Sequence, residues 1–150
     1  MDSDGVSPVR FVAAQLAVVV AVIHLSLGAL NWTRWMMAGF LVPRDLRWPL
    51  FVVSGLAMVV GLFLAAAGAP RRPLYAGGIV LVLAYLVGYF GWHAGGHRPL
   101  FLFGPGTQHA GPLLPFLLDH LLAGPVEFVT VVSEVSLLVL LAYLLVAESV

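Results

Sequence analysis

The chain of 150 residues contains no cysteine and no lysine, and only 9% of it is charged, against about 25% in a typical soluble domain. Without cysteine there is no thiolate chemistry, no iron–sulfur cluster and no Cys-based zinc or copper site. A formal net charge of zero excludes a nucleic-acid binder and gives no footing for a disordered, highly charged chain. The seven basic residues are all arginine, which points to a GC-rich coding sequence and a prokaryotic origin.

What is abundant is apolar surface. Hydrophobic residues make up 61% of the chain and mean hydropathy is +1.04. A soluble domain of this length cannot hide so much apolar area in one core. The composition therefore implies an integral protein of the cell membrane, with the lipid bilayer as its solvent.

Charges punctuate the sequence. No formal charge falls between Arg10 and Arg34, between Arg47 and Arg71, or between Arg72 and Arg98. Each interval can hold one spanning helix of about 20 residues. We place helices near 11–31, 48–69 and 74–93. A fourth, near 125–147, opens at Gly124-Pro125, with proline suited to the first helical turn. The first ten residues hold Asp2 and Asp4 against Arg10, so the basic start of a signal peptide is missing and the first apolar run is kept as a helix.

The segment 94–124 is read as a loop. Gly104-Pro105-Gly106, Gly111-Pro112 and Pro115 would break too many backbone hydrogen bonds for a lipid-exposed span. Within it a short helix near 113–123 is expected to be interfacial or re-entrant. The expected fold is thus all-α, a single transmembrane domain of four helices in an up-down bundle. Arginine counts are nearly balanced between the two sides, so the positive-inside rule leaves orientation open, with Arg71-Arg72 in a short loop leaning towards termini inside.

Helices in lipid associate through small residues that permit close approach. Helix 1 offers Ala13, Ala17, Ala21, His24 and Gly28 at helical spacing. Helix 2 offers Ser54, Met58, Gly61, Ala65 and Gly68, and helix 3 offers Gly77, Ala84, Gly88 and Gly91. These are expected packing faces. Trp32, Trp35, Trp48 and Trp92 gather on one side and read as an interfacial aromatic belt rather than a pocket lining.

Glu134 lies nine residues into helix 4, about 14 Å deep at 1.5 Å per residue. A carboxylate at that depth needs protonation or a partner. His24, on the small-residue face of helix 1, falls at comparable depth counted from the same side. The two are expected to form the polar centre of the bundle, as a structural pair, a proton relay or part of a metal site. Glu127, in the first turn, reads as a helix-dipole residue.

His93, His97, His109 and His120 fall on that same side. Together with His24 and Glu134 they are candidate ligands for a metal or haem iron. Gly95-Gly96 are expected to end helix 3 between His93 and His97 and so to spoil their i, i+4 convergence. Haem is disfavoured, because His24 is deep while His93 is expected near the surface. Tyr85, Tyr89 and His93 share one face of helix 3, as a quinone-edge or proton-wire surface would.

No H-E-x-x-H, P-loop or catalytic triad is present. Two functions remain. The favoured one is a non-enzymatic accessory or assembly component, partnered by other membrane subunits or by copies of itself. The alternative is a His/Glu-based protein that binds metal or haem, or relays protons.

Overall fold

The computed structural model describes residues 7–98, 106–107 and 112–148. The described residues form five helices: α1 (Pro8–Met37), α2 (Arg47–Ala66), α3 (Arg71–Ala94), α4 (Leu113–Leu122) and α5 (Pro125–Ala147). Four of them, α1, α2, α3 and α5, are long and apolar enough to cross a membrane. Their outward faces carry large apolar side chains such as Phe11, Val22, Val53, Val80, Val87 and Val139, a surface suited to lipid rather than water.

Proline and glycine set the helix limits. Pro8 and Pro125 occupy the first turns of α1 and α5. Gly39, Gly68 and Gly96 each take a positive φ just beyond α1, α2 and α3. After each one the chain folds back so that the next N–H reaches a carbonyl five residues earlier: Phe40 to Trp35, Ala69 to Leu64 and His97 to Trp92, at 2.9–3.0 Å. This is the Schellman arrangement, which satisfies the last carbonyls of a helix through a left-handed residue.

These caps correct the expected boundaries. Helix α1 runs to Met37 rather than ending near residue 31, because Asn31, Trp32 and Arg34 are polar without being helix breakers. Asn31 and Arg34 instead bond within the helix, Asn31 Nδ2 to Leu27 O at 2.8 Å and Arg34 Nη1 to Asn31 Oδ1 at 3.2 Å. Helix α2 stops at Ala66, three residues early, because its cap is Gly68. Helix α3 starts at Arg71 and continues to Ala94, and α5 spans the expected range.

The core is a seam along α1, α3 and α5: Ala13, Ala17, Val20 and Ala21 meet Val82, Tyr85, Leu137, Leu141 and Leu144, with Met58 from α2. Helix α1 buries the small-residue face expected of it, adding Val20. Its tightest contact is with α2. A Cβ placed on Gly28 would come within 2.8 Å of Trp48 O and 2.9 Å of Val52 N, both backbone atoms. The expected faces of α2 and α3 need correction. Gly55 faces Leu25 and Ala21 of α1, and Gly78 faces Leu141 of α5, whereas Cβ atoms on Gly61, Gly77 and Gly91 would meet nothing within 4 Å among the described residues. A small residue at helical spacing marks a face without saying which neighbour occupies it.

Helix α2 lies along α1 and touches α3 only lightly. A cavity of about 680 Å³ therefore opens between α2 and the α3–α5 pair, with His24 of α1 in its wall. At the far end of the bundle Glu148, just past α5, accepts hydrogen bonds from Arg10 Nε at 2.7 Å and Tyr75 Oη at 3.0 Å. Partial burial pushes the Glu148 carboxyl up, but the Arg10 and Tyr75 hydrogen bonds and the charges of Arg10 and Arg71 outweigh it and hold the carboxyl below its ordinary value. That contact ties the ends of α1, α3 and α5 together.

The α1–α2 approach predicts opposite outcomes for two glycines. Gly28→Ala places a methyl against backbone that cannot rotate away and should cost about 1–3 kcal/mol, as overpacking does. Gly61→Ala enters open space and should be neutral or slightly stabilising, since alanine is the better helix former. Unfolding midpoints of the two variants in detergent would check this, and equal midpoints would contradict the packing.

Candidate functional site

The deepest polar contact joins α1 to α5. His24 Nε2 lies 3.4 Å from Glu134 Oε1, and both side chains are almost wholly buried, with side-chain exposures of 4% and 3%. His24 Nδ1 is 2.9 Å from Val20 O. A carbonyl only accepts, so Nδ1 carries a proton and donates it. Nε2 then faces the carboxyl either as a lone pair or as a second N–H. In either state one proton must lie between ring and carboxyl for the contact to be attractive, on Glu134 in a neutral pair or on His24 in an ion pair. The two residues thus act as a single proton-holding unit.

The His24 ring is fixed from its faces as well. It stacks on Tyr85 of α3 with centroids 3.8 Å apart and planes 15° apart, and the Phe51 ring of α2 meets it edge-on at 4.8 Å. Three helices therefore clamp the imidazole while α5 supplies its acid.

Tyr85 is itself buried and lines the cavity with Tyr89, one turn further along α3. Both hydroxyls are sealed from solvent, and neither makes a hydrogen bond among the described residues. Ser54 lies beside Tyr85; its hydroxyl donates to Leu50 O at 2.6 Å, which leaves its oxygen able to accept. Buried hydroxyls are normally paired, and leaving one unpaired costs about 1–3 kcal/mol. Both residues belong to one cavity wall.

The mouth of the cavity is aromatic and cationic. The Arg47 guanidinium lies 3.6 Å from the Trp92 ring centroid and 4.6 Å from that of Trp48. Asp45 orients it, accepting Arg47 Nε at 2.9 Å and the Arg47 backbone N–H at 3.1 Å. Trp48 and Trp92 both line the cavity, so for these two the pocket reading replaces the belt. The sequence reading passed over Arg47. Its signal was the Asp45-x-Arg47-Trp48 run at the start of α2, an acid two residues before a cation that is itself next to an indole. Glu127 also lines the cavity, from the first turn of α5.

The histidines at this end converge. His93, expected near the surface, is 6% exposed. His97 follows the Schellman turn, which carries it back towards the helix it has just left. Its ring sits 4.2 Å from Trp92 and 4.9 Å from His93. The glycines do end α3, yet the manner of ending restores the convergence that the break was expected to destroy. His97 has a φ of 58°, a left-handed conformation uncommon in residues other than glycine, of a kind that clusters at functional sites and costs of order 1–3 kcal/mol. Thr107 holds this turn, its N–H donating to Gly96 O at 2.8 Å. A Cβ on Gly96 would collide with Thr107 O at 2.5 Å, so glycine is required there.

His120 arrives from α4, with ring centroids 5.2 Å from His93 and 5.3 Å from His97. The six candidate ligands therefore divide. His24 and Glu134 pair deep in the bundle, while His93, His97 and His120 gather at the mouth. His109 lies outside the described residues. The Tyr85–Tyr89–His93 face of α3 spans the two groups, with His24 stacked on Tyr85 and the Tyr89 ring 4.2 Å from His93.

Comparison with known proteins leaves the site to speak for itself: no family model, characterised protein or solved structure matches the chain.

Tyr85→Phe removes a hydroxyl that makes no well-formed hydrogen bond among the described residues, with only Ser54 beside it. The variant should be as stable as the parent in detergent, or more so. A clear drop in its unfolding midpoint would reveal a hydrogen bond to the hydroxyl and contradict the geometry.

Proposed function

We propose that the chain is a multi-pass protein of a prokaryotic cell membrane that binds a small lipid-soluble ring compound and hydrogen-bonds to it. In this reading the four long helices cross the bilayer up and down, with both ends on one side. Helix α4 lies at the opposite interface, beside the cavity mouth. The lipid bilayer is both solvent and source of the ligand.

The observation that carries the reading is the cavity, which brings Tyr85 and Tyr89, whose hydroxyls make no well-formed hydrogen bond among the described residues, together with His24 and Glu134. A volume of about 680 Å³ falls within the common range for small-molecule pockets, about 300–1,000 Å³. Phe51, Trp48 and Trp92 offer flat apolar walls, so a planar ring fits better than a flexible acyl chain. The hydroxyls can bond a carbonyl or hydroxyl on that ring, and the proton of the His24–Glu134 pair can serve as a further hydrogen-bond donor. A quinone or quinol is the simplest molecule with all these features.

One observation favours a second reading, an accessory component that assembles with other membrane subunits or with its own copies. Ala57, Gly61 and Ala65 form a small-residue line on α2, and a Cβ on Gly61 would meet nothing within 4 Å. Such lines let a second helix approach closely.

A short-chain benzoquinone titrated into the detergent-purified protein should quench tryptophan fluorescence saturably, through Trp48 and Trp92. Tyr85→Phe should weaken binding about tenfold, the loss expected for one hydrogen bond of about 1.4 kcal/mol. Absence of saturable quenching would refute the ligand reading. Efficient crosslinking of a Gly61→Cys variant in native membranes would then favour the assembly reading.

A further inference from the structure

We propose that His93, His97 and His120 form a binding site for one divalent transition-metal ion, zinc being the simplest case. The site stands apart from the ring-compound reading and does not depend on it. One nitrogen from each of the three rings can be chosen so that all lie within 4.8 Å of one another. Zinc bound at about 2.0–2.1 Å in tetrahedral geometry needs ligand nitrogens about 3.3 Å apart. The gap of about 1.5 Å is within reach of small side-chain rotations.

Ring orientation suits the chemistry. His93 Nδ1 lies 2.8 Å from Tyr89 O and His120 Nδ1 lies 3.0 Å from Phe116 O. Each carbonyl accepts, so each Nδ1 carries the proton and the lone pair of the neutral ring is on Nε2. Histidine ligands are commonly held this way, the ring N–H that faces away from the metal being donated to a backbone carbonyl. His97 Nδ1 is 3.5 Å from Thr107 Oγ1, the residue that also fixes the Gly96 turn.

The backbone goes to some length to bring the third ring in. Gly96 and His97 take consecutive positive φ values of 80° and 58°, and the second of these is unusual for histidine. Three imidazoles this close repel one another once protonated, whereas neutral rings can each offer a nitrogen lone pair to a cation. Three nitrogen ligands also leave a fourth position for water or another group, as in open zinc sites. His93 also lies in the cavity wall.

The test uses the full chain, expressed without a polyhistidine tag, purified in detergent and stripped with a chelator. Zinc added back should bind at one equivalent by elemental analysis after desalting. Cobalt should give the intense visible bands of a four-coordinate nitrogen site. His97→Ala and His120→Ala, at the less buried positions, should each weaken zinc binding at least tenfold and abolish the cobalt bands, while Gly61→Ala should leave both unchanged. No retained zinc in the parent, or parent-like zinc binding in His120→Ala, would overturn the site. So would an equal loss in Gly61→Ala, which would show that the loss is not specific to the histidines. Benzoquinone quenching measured on the stripped protein keeps failure of this site distinct from failure of the ring-compound reading.

Discussion

A polar group surrounded by lipid and apolar side chains must find its partner inside the protein, and the bundle is arranged around the two that most need one. Glu134 and His24 face each other across the α1–α5 contact. Their contact joins α1 to α5, and the His24 ring also meets Tyr85 of α3 and Phe51 of α2. Apolar packing in lipid lacks the driving force it has in water. A single satisfied polar centre therefore says more about the arrangement of this bundle than its leucines and valines do.

The cavity follows from how α2 is held. Backbone contact at Gly28 commits α2 to α1, and only a light contact remains for α3. The space left between α2 and the α3–α5 pair is lined by the face of α3 that carries Tyr85, Tyr89 and His93. Close packing on one side of α2 thus produces the opening on the other. The opening holds the proton-holding pair at depth and, at its mouth, Arg47 between two indoles.

The sequence was most legible where one residue type has one physical meaning. The small face of α1 with His24 embedded in it, the depth of Glu134 and the proline-bounded α4 could all be read directly. Legibility failed where meaning depends on a neighbour. Gly61, Gly77 and Gly91 share their spacing with truly packed glycines, yet a Cβ on any of them would meet nothing within 4 Å among the described residues. The end of α1 was misjudged because Asn31 and Arg34 satisfy one another within the helix instead of stopping it. The His93–His97 convergence was missed for a related reason. A glycine pair announces that a helix ends, but not that a Schellman turn sends the next residue back. Trp48 and Trp92 look like any interfacial tryptophans until the cavity beside them is seen.

The central claim, a shared proton between His24 and Glu134 with Nδ1 bound to Val20 O, can be observed directly by solid-state ¹⁵N NMR of histidine-labelled protein in lipid. The account predicts a His24 ring with Nδ1 protonated, and an Nε2 resonance that moves strongly in the Glu134→Gln variant while Nδ1 stays protonated. A His24 ring with its proton on Nε2 and a bare Nδ1, or an Nε2 resonance indifferent to Glu134→Gln, would contradict it.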